Sequence, residues 1–113
     1  MPRKRPKLAA TPVTLQLKWT HNFQFAGYYA AVEKGYYREA GLDVRLLEGD
    51  SNTEPVEAVL SGEADYGIDD SRTLLARLQG RPVVALAAIF QHSPQVLRVR
   101  ADSGIRTPHD LAG

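Results

Sequence analysis

Eight consecutive residues, Val83 to Phe90, are all apolar. The run is far short of the roughly 18 residues that would cross a bilayer. It is also too uniform for a half-buried strand, which alternates apolar and polar positions. It reads as a strand covered on both faces, and such strands lie inside parallel sheets flanked by helices. The rest of the chain fits that demand. Val13, Leu15 and Leu17 alternate with Thr14, Gln16 and Lys18, predicting a strand that ends near Trp19. Phe25, Tyr29, Val32 and Tyr36 recur at helical spacing, predicting one helix from about Phe23 to Ala40, closed by Gly41. Leu42 to Leu47 reads as a second strand. Pro55 opens a helix after Asn52 or Thr53, either of which can cap it, and Gly62 ends it. Asp65 to Ile68 is a short third strand. Asp69, Asp70 and Ser71 precede a helix carrying Leu74, Leu75 and Leu78, closed by Gly80. Val96 to Arg100 is a fifth strand, and Thr107-Pro108 announces a further helical turn. Strands alternating with helices predict an α/β fold: an open, mostly parallel sheet with helices on both faces.

Length and composition narrow the function classes. A chain of 113 residues makes one domain, and 43% hydrophobic residues argue against disorder. With no cysteine, a disulfide framework, a thiolate metal site and a cysteine nucleophile are all excluded. Arg3, Lys4, Arg5 and Lys7 hold four of the 14 positive residues. The remainder carries 10 Lys and Arg against 13 Asp and Glu, a balance of −3. The basic character therefore belongs to residues 1–11, which read as a disordered tail, and the acidic remainder argues against a nucleic-acid partner. Met1 to Thr11 lacks the apolar stretch of a complete secretory signal. The turn begun at Thr107 has little room before Gly113, so residues 12–113 read as part of something longer.

Open α/β sheets take ligands outside the carboxyl ends of their strands, so the loops there carry the candidate residues. Trp19 ends the first strand. It offers a ring for stacking and an indole donor, or else packs under the first helix. Asn22 offers both donors and an acceptor, or caps the helix. Phe23 begins a helix start whose free N–H groups favour a polarised ligand atom. Tyr28, in the first turn, is the tyrosine of this aromatic-rich helix placed to see the cleft. Ser51 and Asn52 follow strand two, Asp70 and Ser71 strand three, and Gln91 and His92 strand four; each has a turn or cap reading beside the ligand reading. His21, His92 and His109 show no close metal-ligand spacing, so no metal site is expected.

An ordered series of segments then resembles a known family. It runs Leu15-Gln16-Leu17-Lys18-Trp19, Asn22 to Ala31, Glu33-Lys34-Gly35-Tyr36-Tyr37, Ala40 to Val44, Leu60 to Ile68, Ala88 to Pro94, Asp102 to Ile105 and Asp110 to Gly113. The series is similar to the thiamine-pyrimidine-synthesis-like branch of type II periplasmic substrate-binding proteins, with sulfonate, nitrate and taurine binders of ABC importers among the relatives. The stretch Phe90 to Pro94 resembles versions fused to bacterial sensor kinases and cyclases. The resemblance implies a bilobed clamshell, of which residues 12–113 would form part of the first lobe, the second lobe being absent. It implies a non-catalytic lobe that binds a small molecule, a thiamine-related pyrimidine first among candidates, in an importer binding protein or an extracytoplasmic sensor domain. It also implies a periplasmic or extracytoplasmic location, an ABC permease or fused signalling domain as partner, and no cofactor. The alternative is a fragment of a synthase that consumes pyridoxal phosphate to make the pyrimidine. That chemistry needs a lysine for a Schiff base. The lysines are Lys4, Lys7, Lys18 and Lys34, none in the loops after strands two to four, and the cysteine-rich iron motif of the eukaryotic enzymes is absent.

Overall fold

A computed structural model describes residues 9–112. The basic run at residues 1–8 lies outside the described residues, so the expected tail meets them only at its edge, where Thr11 opens the first strand. The elements are β1 (Thr11–Gln16), a 3-10 turn (Phe23–Phe25), α1 (Ala26–Glu33), α2 (Tyr36–Glu39), β2 (Leu42–Leu47), α3 (Pro55–Leu60), β3 (Tyr66–Gly67), α4 (Arg72–Leu78) and a second 3-10 turn (Pro108–Leu111). The three strands form a parallel sheet in the order β2-β1-β3. Thr11 stands opposite Leu42 and Gln16 opposite Leu47, while Leu15 and Gln16 face Tyr66 and Gly67. The step from β1 to β2 runs one way and the step from β2 to β3 runs back across β1. Right-handed crossovers in opposite directions put their helices on opposite faces. An α/β open sheet is thus what the chain forms.

Burial follows the alternation read from the sequence. Leu15 and Leu17 are buried in and just beyond β1, and Phe25, Pro55, Ala58 and Ala64 are buried with them. Asp65 fastens the start of β3. Its Oδ2 accepts hydrogen bonds from the Thr14 backbone N–H at 2.7 Å and the Thr14 hydroxyl at 2.8 Å, and its own N–H donates to Thr14 O at 3.0 Å.

Three expectations need correction. The single helix from Phe23 to Ala40 is three pieces. Gly35 sits at φ +78°, a left-handed geometry that ends α1 and restarts the chain as α2. The pattern of Phe25, Tyr29, Val32 and Tyr36 bridges this break and so conceals it. The cap of α3 is also different. Glu54 occupies the cap position without a side-chain bond. The Thr53 hydroxyl instead accepts from Asp50 N–H at 2.8 Å, inside a turn where Asp50 Oδ1 also accepts from Asn52 N–H at 2.8 Å.

The largest correction concerns the run that opened the sequence reading. Neither Val83 to Phe90 nor Val96 to Arg100 is a strand. Val83 is buried, but Val84, Leu86, Ile89, Phe90, Val96, Leu97 and Val99 are exposed. A strand exists only against a ladder partner. β3 pairs with β1 over two residues and is the edge of the sheet, and residues 84–100 pair with nothing among the described residues. An apolar groove of about 610 Å³ separates residues 82–87 from the sheet, with Leu15, Tyr28, Tyr37 and Val59 among its walls.

Candidate functional site

Parallel strands bring their carboxyl ends to one edge, and here that edge gathers three loops: residues 17–22 after β1, 48–54 after β2 and 68–71 after β3. The pairing of β1 and β2 runs past the strand ends. Leu17 N–H donates to Leu47 O at 2.9 Å, and Gly49 N–H donates to Trp19 O at 3.1 Å. On the other side Ile68 N–H donates to Gln16 O at 2.9 Å. Below the rim the Gln16 carboxamide is buried. Its Nε2 donates to Leu17 O at 2.9 Å, Glu48 O at 3.2 Å and Leu47 O at 3.3 Å.

The rim's charges are joined across loops. Lys18 Nζ donates to Asp70 Oδ2 at 2.8 Å, tying the ends of β1 and β3. Asp70 Oδ1 accepts from the Arg72 backbone N–H at 2.9 Å and from Arg72 Nε at 3.1 Å. The hydrogen bond from Lys18, reinforced by that from the Arg72 backbone, pulls the Asp70 carboxyl from an ordinary 3.8 down to about 2. Arg72 also reaches Asp69 Oδ1 at 3.1 Å. Across the sheet the His21 backbone N–H donates to Glu48 Oε1 at 2.8 Å, and His21 Nε2 stands 3.6 Å from Glu48 Oε2. The other ring nitrogen of His21 contacts the Tyr29 hydroxyl of α1, with the two rings edge to face and 5.5 Å apart.

Of the candidates read from the sequence, Trp19, Asn22, Ser51, Asn52, Asp70 and Ser71 lie in these loops and Phe23 opens the 3-10 turn that follows the first; all are exposed. Trp19 is 42% exposed and Phe23 90%, so the indole is not the core residue of its other reading. Asn22 holds the cap position of the first 3-10 turn without a side-chain cap bond, leaving its amide to other partners. Tyr28 and Asp70 line the apolar groove, and burial raises the Tyr28 phenol above its ordinary value, helped by the nearby Tyr37. Gln91 and His92 lie apart, on the exposed stretch after residue 84, where Gln91 Nε2 donates to Ala88 O at 2.8 Å. Sequence reasoning missed Lys18, His21 and Glu48. Lys18 flanks Trp19 and His21 follows two residues later, but their partners lie 52 and 27 residues away, a relation no local pattern carries.

The arrangement offers an exposed ring, amide and hydroxyl groups, and the Asp70 carboxylate held in its charged form. Among the described residues no group of three or more His, Asp or Glu side chains is placed to hold a metal ion. Lys18 is the rim's lysine, and its ammonium is engaged by Asp70.

A family model described as NMT1/THI5 like matches residues 22–113. The riboflavin-binding protein RibY of Chloroflexus aurantiacus is 32% identical over 115 residues, covering 99% of this chain and 32% of that protein. The formylaminopyrimidine-binding protein of Halalkalibacterium halodurans is 29% identical over 106 residues, covering 93% and 32%. The 4-amino-5-hydroxymethyl-2-methylpyrimidine phosphate synthase THI11 of Saccharomyces cerevisiae is 30% identical over 84 residues, covering 74% and 25%. The chain thus spans a third or less of the length of these relatives. No solved structure matches it.

Proposed function

The chain belongs to the NMT1/THI5-like family, and from that premise we propose that it is part of the first lobe of a two-lobed, non-catalytic binding protein for a small pyrimidine-bearing molecule. Support for the ligand class comes from the relatives' names. Riboflavin carries a pyrimidine ring within its isoalloxazine, formylaminopyrimidine is itself a pyrimidine, and the synthases are named for one. The observation that carries the reading is the exposed indole of Trp19 at the carboxyl end of the central strand. A flat ring stacks there, while the Asn22 amide and the Asp70 carboxylate satisfy its polar edge. Ser51 and Asn52, in the loop after β2, and Ser71, in the loop after β3, supply further polar groups in this reading. Phe23, Gln91 and His92 join them if closure draws their segments in.

Capture works by closure. The lobe supplied by the rest of such a protein makes its contacts only when shut over the ligand, so the ligand shifts the population towards the shut form. One lobe alone makes about half of the contacts and binds weakly. The setting we propose is extracytoplasmic, with an ABC permease or a fused signalling domain as the partner of the whole protein. Among the described residues no helix is long and apolar enough to cross a membrane.

A second reading, the pyridoxal-phosphate-consuming synthase, draws on the names of relatives such as the yeast protein. It needs a free amine for a Schiff base, and the rim's one lysine is bonded to a carboxylate at 2.8 Å. Nuclear magnetic resonance titration of the chain separates the readings. Formylaminopyrimidine should shift the Trp19 indole N–H saturably, with an affinity of about millimolar. Sulfate and nitrate should leave it in place. Unmoved rim signals would overturn the binding reading, micromolar or tighter binding would overturn the half-site, and a Lys18 imine with pyridoxal phosphate would favour the synthase.

A further inference from the structure

We propose that Gln16, His21, Glu48 and Gly49 are positioning residues that hold Trp19 in its place before any ligand arrives, so that this lobe's share of the site is rigid in the open form. The inference rests on the reading of the rim as the ligand site. Three independent devices converge on the loop that bears Trp19.

The first is a close approach of backbones. A side-chain carbon added at Gly49 would stand 2.5 Å from Leu17 O and 3.0 Å from Trp19 N. Only glycine lets the loop after β2 press this tightly against the loop after β1, and Gly49 N–H uses the proximity to bond Trp19 O at 3.1 Å. The second lies beneath. One buried carboxamide, Gln16, bonds carbonyls of both loops, so neither moves without stranding a buried donor. The third lies above. Glu48 accepts the backbone N–H of His21, two residues past Trp19, and the His21 ring is held against the Tyr29 hydroxyl of α1. Trp19 is therefore gripped on either side in the chain, at Leu17 and at His21, and through its own carbonyl. Such fixation removes the ordering cost that a mobile aromatic loop would charge against binding.

The test needs no ligand. Backbone relaxation should give the Trp19 amide an order parameter near the rigid value of about 0.85. In Glu48→Ala the values for residues 19–22 should fall below about 0.6, and in Glu48→Gln they should recover, because the carboxamide oxygen still accepts from His21 N–H. The thermal midpoint should stay within a few degrees in both variants, since Glu48 is exposed. Gln16→Leu, similar in shape but without the donor, should loosen residues 17–19 and 47–49 together. Unchanged order parameters in Glu48→Ala, or a loss of order spread evenly over the sheet, would overturn the proposal. A failure of formylaminopyrimidine to bind the parent chain would sink the functional reading and leave this measurement standing.

Discussion

Asp70 shows how one residue can join two strand ends. Its carboxyl is held at about 2, first by the hydrogen bond from Lys18 and next by the backbone N–H of Arg72. The folded value is lower than the unfolded one, so the stabilisation is present in full above about pH 4. It is lost as the pH falls from there towards about 2. The side chain is 44% exposed, so water screens the pair and the contribution is small. Lys18→Met should return the Asp70 titration towards its ordinary 3.8, read from the carboxyl carbon shift. If Asp70 still titrates near 2 in that variant, Arg72 rather than Lys18 is the controlling partner. The place of Asp70 at a strand's end was legible in the sequence, as were those of Trp19, Ser51 and Asn52. Lys18 was not, because its role exists only once β1 and β3 lie side by side.

At the scale of elements, what could be read depended on whether an element is defined by itself or by its neighbour. β2 occupies Leu42–Leu47, the range its own pattern predicts, between a turn-forming glycine and the acidic loop that follows. The helical stretch was misread because its apolar spacing continues across Gly35. Gly35→Ala should therefore not fuse α1 and α2. It should cost about 1–2 kcal/mol, because the alanine must take up a left-handed geometry, and thermal unfolding followed by circular dichroism measures the loss. A gain in stability would mean that the break is not imposed by the backbone at that residue. The apolar run at 83–90 failed for the opposite reason. Its letters state a demand for burial on two sides, and that demand is met by other segments or not at all.

The whole molecule bears this out in its dimensions. Its radius of gyration is 19.4 Å, with extents of 73 × 36 × 23 Å, whereas a compact chain of this length has a radius of about 13 Å. The stretch after Val83 is exposed along most of its length. Its root is fixed, since Arg81 clasps both carboxylate oxygens of Glu57, at 2.7 Å for the Nη2 to Oε2 bond. Beyond it, large apolar side chains stand in water. Among the described residues, limited trypsin digestion should cut early at Arg98 and Arg100, in exposed irregular chain, and last at Arg45, within β2. Early cleavage at Arg45 would show that the sheet, and not the extended stretch, is the weaker part.

The strand order β2-β1-β3 also sets a schedule for biosynthesis. β1 leaves the ribosome before either of its neighbours, yet it is the strand that both must flank. Its first partner, Leu42, is made 31 residues after Thr11, and its second, Tyr66, 51 residues after Leu15. Until Tyr66 is made, Leu15 lacks its strand partner on the β3 side. The first of these three strands to be translated is thus completely paired only once the third has been made, and a pause in translation before residue 66 would prolong the time in which its side chains invite a chaperone.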